Sequence, residues 1–190
     1  MDKKSAKSLT DEQIIDKILK DSNQELFGIL YQRHHPKVMD KCYGFIKNKN
    51  LATEFAEEIF AKTYEKLNTF NHSSKFSSWL YSITYNYCID YLRQRKKLHY
   101  PDWNRQNEIP EIIDETEEDF TDLNYQRLME IFELIHPEEK ALLYMKYQDN
   151  LPMKQIAVAL RVSEDAAKMR LKRARTRVIY LYRTKFGPLV

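Results

Sequence analysis

The stretch KQIAVALRVSEDAAKMRLKRAR, residues 154–175, decides the architecture of the second half of the chain. Ile156, Ala157 and Leu160 share one face of a short helix, Arg161 and Val162 interrupt it, and Ser163 is a cap-forming residue ahead of a second run. The apolar positions of that second run are Ala167, Leu171, Ala174 and Val178, again at helical spacing. Two amphipathic helices joined by a tight turn read as a helix-turn-helix, and Ala157 is small where the helices must approach closely. The other face carries Lys168, Arg170, Lys172, Arg173 and Arg175, suited to neutralising phosphates. Ser163, Ala166 and Met169 lie near the end that would enter a major groove. Turns of this kind often need positive φ at the position held by Arg161, where arginine costs about 1 kcal/mol relative to an unstrained conformation.

Upstream, the chain is punctuated for helices. It has only three glycines (Gly28, Gly44, Gly187), and no proline between Pro36 and Pro101 or between Pro152 and Pro188, so the usual marks of β-hairpins are missing. Thr10 or Asp11 caps an amphipathic run through Ile14, Ile15, Ile18 and Leu19, and Leu26 to Ile46 supplies one or two further helices. Ala56, Ile59, Phe60, Thr63, Tyr64 and Leu67 form a stripe opposite Glu57, Glu58, Ala61, Lys62 and Glu65. The turn residues Asn71 to Ser74 end that pattern, and a long helix runs from Phe76 to about Lys97.

This long helix has an inward stripe of Leu80, Ile83, Tyr87 and Tyr91, and a second line of Lys75, Trp79, Asn86, Arg93 and Lys97. Tyr81, Tyr85, Tyr87, Tyr91 and Trp79 are candidates to stack on unpaired bases while Arg93, Arg95, Lys96 and Lys97 hold phosphates. The competing reading makes most of these rings core, with Tyr87 and Tyr91 inward.

Charge divides the chain. Residues 100–126 hold nine acids against Arg105, net −8, whereas residues 161–190 hold nine bases against Glu164 and Asp165, net +7. The acidic stretch, with Pro101 and Pro110, reads as a linker between two basic modules. Cys42 and Cys88 lack metal-site spacing and are expected as reduced thiols. No cofactor or metal is expected. His34 and His35 point to different sides of a helix, the other histidines are scattered, and no HExxH, phosphate loop or nucleophile motif occurs, so no enzyme activity is expected. With neither an N-terminal apolar run nor eighteen consecutive apolar residues, the expectation is a cytoplasmic protein without membrane insertion.

The order of basic aromatic helix (KFSSWLYSITYNYCIDYLRQRKK), acidic linker and helix-turn-helix (IAVALRVSEDAAKMRLKRAR) resembles the bacterial sigma-70 family, best its extracytoplasmic-function (ECF) group. The resemblance implies an all-α chain of two helical domains joined by the acidic linker. These are an N-terminal extension (1–21), region 2 (22–99), linker (100–122), region 4 (123–185) and tail (186–190). It implies promoter DNA and core RNA polymerase as partners, through the β′ clamp helices and β flap, and admits an anti-sigma factor. Asn71, Ser73, Ser74 and Lys75 would then pocket a flipped −10 base. Trp79 and Asn86 would lie at the point of strand separation, with Arg93, Arg95, Lys96 and Lys97 on upstream phosphates. Ser163, Ala166, Lys168, Met169, Arg170, Lys172, Arg173 and Arg175 would read the −35 element, with Arg170 and Arg173 as the family's paired arginines.

Two departures accompany the resemblance. Glu57 and Glu58 keep the acidic pair of the clamp-docking face, but Ala61 and Lys62 stand where Gln and an acid are usual, which reverses one charge of that interface. Ala167 replaces a larger Val or Ile. The alternative function is a stand-alone helix-turn-helix regulator that binds duplex DNA without polymerase.

Overall fold

The computed structural model describes residues 8–21, 23–96, 100–109 and 124–187, the side chains of 96 and 101 excepted. Among these residues every regular element is helical. They form two compact units divided between Tyr91 and Leu92.

In the first unit, α1 (Asp11–Asp21) starts at Thr10, whose hydroxyl accepts the Gln13 amide at 3.2 Å while its own amide donates to the Gln13 side chain at 2.9 Å. This reciprocal box satisfies two amides that a helix start leaves without partners. Ile14, Ile15 and Ile18 are buried and Leu19 is exposed, and each buried isoleucine contributes about 1.5–3 kcal/mol. α2 (Phe27–Ile46) and α3 (Lys49–Glu65) pack together across a turn in which Lys47 takes φ 55° and Asn48 caps α3 by accepting the Leu51 amide at 3.0 Å. α3 buries Ala52, Phe55, Ala56, Ile59, Phe60 and Thr63, and leaves Glu57, Glu58, Ala61 and Lys62 outside.

α4 (Phe76–Lys96) corrects the expected stripe. Its core residues are Phe76, Leu80, Tyr81, Thr84, Tyr85, Cys88, Ile89 and Leu92, whereas Ile83, Tyr87 and Tyr91 are only half-buried. The helix carries rings on both faces, so periodicity in one segment could not choose which face turned inward. Tyr81 and Tyr85 are therefore core rings, not stacking candidates, and Lys41 donates to the Tyr85 hydroxyl at 2.8 Å while lying over both rings. Tyr87 and Tyr91 pack edge-on against Phe55. Cys42 and Cys88 are buried free thiols in contact, and the hydrogen bond between them, followed by burial, pushes the Cys88 thiol above its usual range.

The second unit contains α5 (Tyr100–Gln106), α6 (Tyr125–Phe132), α7 (Pro137–Leu143) with a π-helical turn (Tyr144–Gln148), α8 (Met153–Leu160) and α9 (Glu164–Phe186). Ile131, Phe132, Ile135, Leu143, Ala174, Val178 and Tyr182 make one core cluster. Pro137 opens α7, where a missing N–H costs nothing. His136 caps it by accepting the Glu138 amide at Nδ1, 3.1 Å away.

α5 is the second departure from expectation, because the sequence places residues 100–106 in an aperiodic linker and the structure makes them a helix. Tyr100 and Trp103 sit one turn apart and both pack on the His136 ring, at 5.3 and 5.2 Å. Arg177, almost wholly buried, lies over Trp103 and donates to Glu139 at 3.1 Å, to Asn104 at 2.8 Å and to the Asn107 carbonyl. Tyr100 donates to the same Glu139 at 3.2 Å. Burial pushes the Glu139 carboxyl above the usual range, with Arg177 pulling against it. The acidic count of the segment concealed this aromatic pair. Most of the remaining acidic stretch, 110–123, lies outside the described residues.

Candidate nucleic-acid interface

The helix-turn-helix forms as the sequence requires. α8 ends at Arg161, which adopts φ 54° and ψ 47°, and the Val162 amide donates back to the Ala157 carbonyl at 3.0 Å. Ser163 caps α9 by accepting the Ala166 amide at 3.2 Å. Ile156, Ala157, Leu160, Ala167, Ala174 and Val178 are buried, and Leu171 packs at the margin of the core.

The candidate −35 residues then divide into two groups. Ser163, Lys168, Met169, Lys172 and Arg173 are exposed. Lys168 is paired with Glu164 at 3.1 Å and with Asp165 at 3.7 Å, and the Glu164 hydrogen bond raises its ammonium pKa. Among the described residues Lys172 and Arg173 have no ion pair. Ala166, Arg170 and Arg175 are half-buried. Arg170 bonds Glu138 at 2.8 Å and lies over the Tyr100 ring. Glu138, only 3% exposed, also receives Arg93 at 2.9 Å, so one buried carboxylate holds two of the candidate DNA-binding arginines.

The second constellation surrounds the start of α4. Asn71 accepts the Ser73 amide at 3.2 Å, His72 takes φ 57°, and Lys75 precedes the helix with its carbonyl accepting the Trp79 amide. Ser74 and Lys75 line an open cavity of about 550 Å³ together with Thr10, Asp11, Glu12, Arg33, His72 and Ser77. Asn71 and Ser73 are exposed but not among its lining residues. Trp79 is half-buried, with its ring 5.5 Å from Phe70 and 6.0 Å from Phe76. Asn86 is half-buried one face-repeat along, and Arg95 is exposed. Lys97 lies outside the described residues.

His72, Asp11 and Glu12 were not candidates on sequence. The one signal that could have found the last two is α1's apolar stripe: a helix that must bury three isoleucines brings its first acids against whatever it packs on.

The exposed face of α3 is preordered. Glu57 accepts the Tyr31 hydroxyl at 2.6 Å, which with burial pushes that tyrosine up to about 12. Glu58 accepts the Tyr87 hydroxyl, whose pKa is raised by burial first and Glu58 second. Lys62 lies over the same Tyr87 ring at 4.3 Å.

Two family models match the chain in order: Sigma-70 region 2 over residues 30–98 and Sigma-70, region 4 over residues 125–178. The chain belongs to the sigma-70 family, in its ECF group. It is 33% identical over 86 residues to the ECF RNA polymerase sigma factor SigW of Bacillus subtilis (strain 168), a match that spans 45% of this chain and 46% of that protein. It is 21% identical over 150 residues to the ECF sigma factor SigX of the same organism, covering 76% of this chain and 77% of the relative. Its fold is that of the sigma factor RpoE of Bartonella quintana, solved in complex with the anti-sigma factor NepR, at TM-score 0.56 and 17% identity, covering 89% and 99% of the two chains. Sigma factors are non-enzymatic initiation factors that bind core RNA polymerase and promoter DNA. The paired region 2 and region 4 matches leave the stand-alone regulator without support. No helix among the described residues is long and apolar enough to cross a membrane.

Proposed function

We propose that this ECF sigma factor directs core RNA polymerase to promoters by placing α9 on the −35 element and the 71–75 turn with α4 on the −10 element, which it helps melt. The observation that carries the reading is the basic, Ser163-capped α9 beyond a left-handed turn, with Lys168, Met169, Lys172 and Arg173 exposed. In the reading, Ser163, Ala166 and Met169 face base edges while Lys168, Arg170, Lys172, Arg173 and Arg175 hold phosphates. Asn71, Ser73, Ser74 and Lys75 receive the −10 base, Trp79 and Asn86 stand at the melted edge, and Arg93, Arg95, Lys96 and Lys97 contact upstream phosphates. Glu57, Glu58, Ala61 and Lys62 form the β′ clamp surface, and region 4 meets the β flap. Residues 22–99 act as region 2, 100–122 as linker and 123–185 as region 4, between an N-terminal extension and a short tail. The protein works in the cytoplasm, with the polymerase, and an anti-sigma factor is its regulatory partner.

The test is size-exclusion of the purified chain with σ-free core polymerase, followed by transcription from promoter DNA. Co-elution with promoter-dependent transcription is the expected result. The double substitution Glu57→Lys with Glu58→Lys should weaken core binding at least about tenfold, because it opposes like charges where complementary ones meet. Failure of the wild-type chain to co-elute would overturn the reading.

A further inference from the structure

α1 precedes both matched family regions, the first of which begins at residue 30, yet it is built into the turn assigned to the −10 element. Glu12 accepts the backbone amide of Phe76, the first residue of α4, at 3.0 Å. Four residues on, Asp16 meets His72 at 3.0 Å. Asp11, the neighbour of Glu12, is anchored by Arg33 at 2.6 Å and His34 at 2.7 Å, and Ile14, Ile15 and Ile18 fix the helix from below. Two acids of one helix thus reach the two ends of the 72–76 segment, while a third ties the same helix to α2.

The reason lies in the residue that precedes α4. A helix start presents amides without partners and a partial positive charge, and is best served by an acceptor on the preceding side chain. Lys75 occupies that place with an ammonium group that has donors and no acceptor. The exposed Lys75 side chain lines the cavity, so the position serves the cavity at the expense of the helix. Glu12, from 64 residues upstream, supplies both the missing acceptor and the compensating negative charge.

We propose that Glu12 is a positioning residue for −10 recognition: it caps α4 in trans and so fixes Lys75 and Ser74 in the lining of the cavity, with Asp16 holding His72 beside them. The proposal rests on the −10 reading given above. It predicts that Glu12→Ala weakens −10 strand binding, whereas Glu12→Gln, which keeps an acceptor of the same reach, restores most of it.

The experiment uses holoenzyme assembled on core polymerase. Wild-type holoenzyme selects its own probes from a random single-stranded pool and a random duplex pool, and the retained strand and duplex are then titrated against each variant. The expected result is a loss of about fivefold or more in single-strand affinity for Glu12→Ala, with Glu12→Gln within about twofold of wild type, and with core retention and duplex affinity unchanged for both. Three outcomes overturn the proposal: unchanged strand affinity in Glu12→Ala, a rise that reports only relief of charge repulsion, or equal losses in strand, duplex and core binding. A wild-type holoenzyme that retains duplex but selects no single strand would instead overturn the −10 reading itself.

Discussion

Arg161 holds a left-handed conformation that a Cβ disfavours by about 1–2 kcal/mol, while glycine there would lose more freedom on folding, about 0.5–1 kcal/mol. The difference predicts that Arg161→Gly stabilises the second unit by roughly 0.5–1 kcal/mol, read as a rise in urea midpoint at constant slope. No rise would mean that the arginine side chain's own contacts outweigh the strain. Arg170 and Arg173 are equivalent on a charge count and different in their surroundings. Arg173 is exposed, so Arg173→Ala should lower the salt dependence of duplex binding by about one phosphate contact and change stability by less than about 0.5 kcal/mol. Among the described residues Arg170 is one of two cations paired with the buried Glu138, so Arg170→Ala should in addition cost about 1–2 kcal/mol of stability, seen in thermal unfolding without DNA. Equal stability of the two variants would show that Glu138 is adequately held by Arg93 alone.

At the scale of elements, α1, expected as an N-terminal extension, packs against the turn proposed for −10 recognition. Its cap and its stripe were legible, because Thr10 and the isoleucine spacing are local facts, but its docking against the 71–75 turn joins residues some sixty positions apart. Its hold on α2 is pH-sensitive. The hydrogen bond from His34, reinforced by Arg33 and opposed by burial, keeps the Asp11 carboxyl below its usual value. The folded carboxyl therefore takes up its proton less readily than the unfolded one, so its contribution is complete above about pH 4 and is lost as pH falls through the lower, folded value. Asp11→Asn should cost about 1 kcal/mol at neutral pH and flatten the acid limb of the stability curve. An unchanged acid limb would show that the Asp11 contacts contribute nothing to folding. α4 shows the converse failure, since a helix with aromatic residues all round gives periodicity no contrast, and only partners on α2, among them Lys41, His34 and Phe45, selected Tyr81 and Tyr85 for the core. α5 was hidden in another way: its two rings were too few to set a period within a segment dominated by carboxylates.

For the whole molecule, the sequence by itself determined that the chain is all-helical, that it carries two basic modules in a fixed order, and that the second is a helix-turn-helix. These are consequences of local rules, since caps, turn residues and 3.6-residue spacing act within about a dozen positions. The candidate residues that stand on exposed faces, among them Lys172, Arg173, Glu57 and Glu58, were legible for the same reason. The tertiary structure alone decided which cations are engaged and which are not, that Glu138 gathers Arg93 and Arg170, that Glu139 and Arg177 lock α5 in place, and that Glu12 caps a helix beginning 64 residues later. Such pairings bring together charges that are remote in sequence, and their strength depends on burial and distance, neither of which any local pattern of residues encodes.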